Sequence, residues 1–207
     1  MTQPPRIARP TFGTSTILLM GLSIALNIVV GQLVGNVLKL PLYLDSIGTV
    51  LVGVLAGPLA GVVTGALSNV VWGLAVPSAA STIPFGITAA VIGLLAGLAG
   101  QRRLFAARRG ASGGVIVAIV GFLVGVVAAI VSAPIAYYVF GGSTGGGTDV
   151  LVAIFRNFTD SAFTATLLQS GISDPIDKTV VFLLAWGIVL GLPASVKLLF
   201  PQGDRSI

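Results

Sequence analysis

Long apolar stretches separated by short polar segments dominate the chain. The apolar runs cover about residues 14–38, 45–75, 84–101, 114–139 and 176–200. A helix needs about 20 mostly apolar residues to cross a hydrocarbon core of roughly 30 Å. The pattern therefore predicts an all-α membrane protein whose polar connections lie at the ends of the spans.

The run 45–75 is too long for one crossing. As a single helix it would extend for roughly 46 Å at 1.5 Å per residue. Proline favours a helix start and disfavours helix at the residue before it, so Gly57–Pro58 is the expected break. We predict two short helices, about 45–56 and 58–75, which bring the number of spans to six.

A stripe of small residues follows this break, with members every four residues in AGPLAGVVTGALSNVVWG. Such spacing lines one face of a helix and lets a second helix approach closely. The stripe ends in an amide and an indole, at Asn69 and Trp72. Its glycines predict packing, and its polar end predicts a position beside a pocket.

Composition agrees with a membrane protein and excludes several kinds of chemistry. The chain is 55% hydrophobic and 8% charged, with mean hydropathy +1.05 and no Cys or His. Metal sites built on thiolate or imidazole and most nucleophile–base pairs are therefore excluded, and we predict no cofactor, no metal and no enzymatic activity. The net charge of +5 comes without a basic stripe interleaved with aromatics, so nucleic acid is not an expected partner.

The basic residues set the predicted topology. Eight of the eleven Lys and Arg lie at 6, 9, 102, 103, 108, 109, 197 and 205, and the positive-inside rule places these regions on the cytoplasmic side. We predict a multi-pass protein of the cell membrane with a cytoplasmic tail at 1–13, a six-helix membrane domain at 14–200 and a cytoplasmic tail at 201–207. Residues 149–170 are then an outer lid-like, re-entrant or interfacial helix, preceded by a flexible glycine linker at 141–148.

With this topology the unusual polar residues gather on the outer side. Charged and amide groups in a membrane are costly unless they are paired or line a wet cavity, so they indicate a function. An apolar cleft with a few fixed polar groups suits a small ligand. The predicted substrate-binding residues are Asn36, Tyr43, Asp45, Asn69, Trp72, Arg156, Asn157, Asp160, Asp177 and Lys178.

Several of these residues also have a purely structural interpretation. Arg156 and Asp160 are four apart and could pair on a helix. Asp45 could cap the second helix, and Trp72 or Lys178 could be interfacial anchors. Asn69 could bond across helices.

Three segments of the sequence are typical of one known family: GPLAGVVTGALSNVVWG, LYLDSIGTVLVGVLAGPLAG and the PIDK that opens the last span. Over about residues 14–200 the chain resembles the substrate-binding S component of energy-coupling factor (ECF) vitamin transporters. The resemblance implies capture of a vitamin-like molecule from outside and its delivery inward. It also implies partnership with a transmembrane coupling subunit and two cytoplasmic ATPases.

In that family, small residues on the first helix dock the coupling subunit, typically as A-x-x-x-A. The corresponding positions here are Gly21 and Ala25, with Val29 where a second alanine is expected. A membrane ligand-sensing module without transport is the alternative function. Neighbouring genes for ATPases and a coupling subunit would distinguish the two.

Overall fold

The computed structural model describes residues 10–106 and 111–207, except the side chains of Asn36 and Ala111. Over these ranges the regular secondary structure is entirely helical, as predicted. A π-helical segment, Gln32–Val37, continues the first helix, and a 3₁₀ segment, Pro77–Phe85, precedes the fourth. The α-helices are α1 Thr14–Gly31, α2 Ile47–Ala56, α3 Pro58–Ala75, α4 Gly86–Gln101, α5 Ala111–Phe140, α6 Asp149–Arg156, α7 Ala162–Gly191 and α8 Ala194–Lys197.

Four helical segments in the described ranges are long and apolar enough to cross a membrane. They are Thr14–Gly35, Pro58–Ala75, Pro77–Gln101 and Ser112–Phe140. This confirms the membrane-helix character that the composition indicates. α2 is shorter, and α7 carries three charged residues at its centre, Asp174, Asp177 and Lys178.

The predicted break at Gly57–Pro58 is confirmed. α2 ends at Ala56 and α3 begins at Pro58. Between them Gly57 has φ +110°, a conformation that residues with a side chain rarely adopt. The proline occupies the first helical position, where its missing N–H leaves no hydrogen bond unmade.

α2 is the centre of the bundle. All ten of its residues are buried, and Val50, Val54 and Leu55 pack in one apolar cluster with Phe182 of α7. A helix that is apolar on every side belongs in a protein core or in a membrane. Here the neighbouring helices cover this short segment on every side.

The glycine stripe packs α3 tightly against α4. A Cβ atom on Gly61 would lie 2.4 Å from the carbonyl oxygen of Gly93. One on Gly65 would lie 2.3 Å from the carbonyl oxygen of Ala89. No real Cβ fits at such distances, so the packing interpretation of the stripe is confirmed for these two glycines.

A buried amide joins the first three helices. Asn27 of α1 donates to the hydroxyls of Thr49 and Ser68, both at 2.9 Å, and accepts from the backbone N–H of Gly48 at 2.8 Å. Both amide hydrogens and the amide oxygen are thus used. Asn27 fixes the register of α1 against α2 and α3.

The segment 149–170 is not one unit, and the predicted bounds of the last span are wrong. α6 ends at Arg156, and α7 begins at Ala162, where the Ser161 hydroxyl caps the helix by accepting from the N–H of Thr164. α7 then runs through Pro175 to Gly191. The PIDK sequence predicts a helix start at this proline, but neighbouring α5 supports a continuous helix around it: Gly125 lies directly against Pro175.

The predicted tail at 201–207 folds back on the bundle. The N–H of Gln202 donates to the carbonyl of Leu55 at 2.8 Å, and Arg205 donates to the carbonyl of Gln101 at 2.9 Å. The last residues therefore close the Gly57 end of α2, opposite the end that holds the cavity described next.

Candidate functional site

A cavity of about 120 Å³ lies where the α1–α2 loop meets the C-terminal ends of α3 and α5. The first part of α4 and the middle of α7 complete its wall. Its polar lining includes Tyr43, Asn69, Thr88, Asp174 and Lys178, and its aromatic lining is Trp72 and Phe85. Five of the predicted binding residues thus share one cavity, namely Tyr43, Asp45, Asn69, Trp72 and Lys178.

Asp177 holds the α1–α2 loop in place. Its Oδ1 accepts from the backbone N–H groups of Tyr43 and Leu44, at 2.9 and 2.8 Å. Leu44 has φ +49°, an uncommon conformation for a residue with a side chain. The fully buried carboxylate therefore fixes the backbone that presents Tyr43 to the cavity.

Lys178 is neutralised from within the protein. Its Nζ lies 2.5 Å from Asp177 Oδ2 and 3.4 Å from Asp45 Oδ1, and it donates to the hydroxyl of Ser46 at 3.0 Å. An ammonium has three donors, so all three are taken. Lys178 is thus a buried, paired group rather than an interfacial anchor. Asp45 pairs with it and does not cap α2, whose first residue has no side-chain cap.

Tyr43 lies between the charged cluster and the cavity. Gln169 of α7 donates to its hydroxyl at 3.2 Å, and Lys178 Nζ lies 5.6 Å from the ring centroid. Burial, with the nearby Asp174 carboxylate second, raises the pKa of Tyr43 well above its ordinary value. The phenol therefore remains a neutral hydroxyl at physiological pH.

Trp72 packs on the C-terminal end of α1. Its Nε1 donates to Gln32 Oε1 at 3.1 Å, and only a glycine fits beneath the ring, since a Cβ on Gly31 would lie 2.6 Å from Trp72 Cη2. With 6% of its surface exposed, Trp72 is a cavity wall and not an interfacial anchor. Asn69 bonds within its own helix, donating to the carbonyl of Gly65 at 3.4 Å, rather than across helices.

The glycine-rich segment 141–148, which the sequence predicts to be a flexible linker, is held by hydrogen bonds and lines the cavity. The Asp149 carboxylate organises it by accepting from the backbone N–H groups of Thr144 and Gly145, at 3.1 and 2.9 Å. Ser81 donates to the carbonyl of Thr144 at 3.0 Å. Gly147 lies against the backbone of the α1–α2 loop, where a Cβ would be 2.3 Å from the carbonyl oxygen of Leu40.

Sequence reasoning did not name Asp174, Ser132, Thr88 or Gln169 as binding residues, although all four line the cavity. Asp174 of α7 accepts from the hydroxyl of Ser132 of α5 at 2.7 Å, while Thr88 and Gln169 line the wall nearby. Asp174 stood among the polar residues of the last span, but nothing in the sequence separated it from Asp177. Single hydroxyls on apolar helices are ordinary, so Ser132 and Thr88 gave no signal.

Three further predicted residues do not line the cavity. Arg156, Asn157 and Asp160 are exposed on and after α6. Because α6 ends at Arg156, the four-residue spacing no longer pairs Arg156 with Asp160. The side chain of Asn36 lies outside the described residues.

No family model, curated protein or solved structure matches the chain. The fold and the site alone therefore define its class. Over the described residues it is an all-helical protein with four helical segments of membrane-spanning length and composition, and it has a mainly apolar cavity with a few polar groups at one end of the bundle.

Proposed function

We propose that this chain is a membrane-embedded substrate-binding subunit, the S component of an ECF-type importer, with six spans and both termini in the cytoplasm. In this proposal α2 and α7 are the two further crossings. The subunit captures a vitamin-like small molecule from outside, without catalysis. A transmembrane coupling subunit and two ATPases then deliver it inward.

The observation that carries the proposal is the covered cavity at one end of the bundle. Its walls combine three aromatic rings with a few polar groups, the usual composition of a small-molecule site. The α1–α2 loop and the segment 141–148 lie over it. In this proposal that segment is the lid, and α6 is the interfacial helix beside it.

Partner docking is proposed for the outward face of α1. Gly21 and Ala25 are exposed, and a Cβ on Gly21 would meet nothing within 4 Å. Val29, one turn further, is 65% exposed. This smooth apolar stripe suits close approach by a helix of the coupling subunit.

The decisive experiment is mass spectrometry of small molecules that remain bound through purification in a mild detergent. We expect one compound of vitamin size in stoichiometric amount, lost when Trp72 is replaced by Ala. The matched control is Trp186→Ala, since Trp186 is the other tryptophan and does not line the cavity. Recovery of lipid alone would count against the proposal.

Co-purification separates transport from sensing. The chain is expressed together with a coupling subunit and ATPases from the same genome, and the complex is isolated through a tag on an ATPase. Recovery of the chain in that complex supports the importer. Ligand binding by a chain that never joins the complex supports the sensing module.

A further inference from the structure

We propose that the cavity selects an organic cation, a ring compound bearing a protonated nitrogen, and that Asp174 is its counter-ion. This inference rests on the proposed function and names the substrate class of the same site. It follows from which polar groups around the cavity are already satisfied and which are not.

The positive charge at the site, the ammonium of Lys178, is fully paired within the protein. The three N–H donors of Lys178 meet Asp177, Asp45 and Ser46. No other Lys or Arg lines the cavity among the described residues. An anionic ligand would thus find no free donor of opposite charge, and it would lie beside buried carboxylates.

The buried carboxylates are only partly paired: among the described residues, Asp177 has a cationic partner, and Asp174 does not. Asp177 accepts two backbone N–H groups and the ammonium of Lys178. Asp174, 3% exposed, accepts only the Ser132 hydroxyl through Oδ2, and within the described residues no Lys or Arg nitrogen lies within 4 Å of it. A buried carboxyl group is stable as an anion only beside a compensating charge, and Asp174 lines the cavity, where a ligand cation would supply that charge.

A second observation points to the same ligand. The hydroxyl of Thr88 is buried, lines the cavity and has no hydrogen-bond partner. Buried hydroxyls are normally satisfied, so an unpaired one marks a missing donor or acceptor. An N–H of a bound ammonium or protonated heterocycle fills this role.

The aromatic lining completes the selection. Trp72 and Phe85 line the cavity. The face of an aromatic ring attracts a cation and stacks on a flat ligand. A compact aromatic or heterocyclic amine satisfies the carboxylate, the hydroxyl and the rings together.

The test uses three probes that share one ring, namely benzylammonium, benzyl alcohol and benzoate. In Trp186→Phe, Trp72 is the single tryptophan, so its fluorescence reports occupancy of the cavity directly. We expect benzylammonium to bind at least about 10-fold more tightly than benzoate, with benzyl alcohol between them. Failure of benzylammonium to bind, or binding of benzoate as tightly, would overturn the inference.

The Asp174→Asn variant then assigns the charge. It keeps the side-chain shape, and we expect it to weaken benzylammonium binding by about 10- to 100-fold while changing benzyl alcohol binding little. The matched control is Asp204→Asn at the opposite end of the bundle, which should bind as the parent does. Equal losses for both probes overturn the role of Asp174, and a folding failure of the variant leaves the probe ranking as the test.

The compound recovered in the mass spectrometry experiment distinguishes the two proposals. A stoichiometric anionic compound would overturn the cation inference and leave the substrate-binding function standing. Absence of any small molecule counts against the function instead. A protonated nitrogen compound supports both.

Discussion

Asp177 Oδ1 lies 2.9 Å from the backbone nitrogen of Tyr43, a residue 134 positions earlier in the chain. This hydrogen bond fastens the loop between the first two helices to the middle of α7. The same carboxylate binds Lys178, which in turn binds Asp45. Loop, lysine and helix thus form one buried polar unit beside the cavity.

Removing the Asp177 carboxylate should destabilise the fold more than any substitution at the cavity surface. Asp177→Ala leaves a buried ammonium short of a counter-charge and two loop N–H groups unpaired. We expect a loss of about 3–5 kcal/mol, measured by thermal or detergent unfolding followed by circular dichroism. Asp160→Ala, at an exposed carboxylate, is the control and should change stability by less than about 0.5 kcal/mol.

The α3–α4 interface should not accept a methyl group. Gly61→Ala places a Cβ on the backbone of Gly93, so the helices must separate, at a cost of about 1–3 kcal/mol. Gly187→Ala is the matched control, because a Cβ at Gly187 meets nothing within 4 Å. Equal unfolding temperatures for the two variants would contradict the close approach.

Gly31 should control the position of Trp72. Gly31→Ala forces the indole away from α1 and from Gln32, so Trp72 emission in a Trp186→Phe background should shift to longer wavelength. Gly35→Ala is the control at the next glycine, where a Cβ meets nothing. An unchanged spectrum in both variants would show that the ring does not pack on Gly31.

Because the pKa of Tyr43 is raised in the folded state, we expect the protein to lose stability in strong alkali. The pKa of Tyr43 is raised in the folded state by burial, so the unfolded chain releases this proton first, near pH 10. The stabilisation is complete below about pH 10 and is lost as pH rises from there towards the folded-state value. Unfolding of Tyr43→Phe should depend less on pH above 10 than that of the parent, whereas Tyr138→Phe, at an exposed tyrosine, should behave as the parent.

A bulky residue on α1 should separate binding from assembly. Gly21→Trp fills the proposed docking stripe without touching the cavity, so ligand binding should persist while co-purification with the coupling subunit is lost. Gly187→Trp also adds a large side chain at an exposed, open glycine and should assemble normally. Loss of assembly in both variants would mean that bulk anywhere on the surface is harmful.

Local signals in the sequence predicted much of the helical fold. Gly57–Pro58 combines a permissive residue with a helix-starting one, and that junction ends α2 as expected. The predicted helix start at Pro175 was wrong because a proline inside a long helix and one at a helix start look alike in sequence. What decides between them is support from a neighbouring helix, which here comes through Gly125.

The site was predictable only in part. Tyr43, Asn69 and Trp72 stood out because polar or aromatic groups interrupt apolar runs. The sequence could not show that Asp149 organises the glycine-rich segment, because its partners there are backbone N–H groups and ordinary Ser and Thr hydroxyls. Nor could it separate Asp174 from Asp177, since their roles depend on which groups α5 and the first loop bring near them.

The triple use of the Asn27 amide has a mechanical consequence. Sliding α1 by one helical turn, about 5.4 Å, would break all three of its hydrogen bonds at once, so Asn27 holds α1, α2 and α3 together as one group. α5 pairs instead with α7. The cavity takes Trp72 from the first group and Asp174 from the second, so a molecule bound there ties them together, and its affinity depends on how closely the two halves meet.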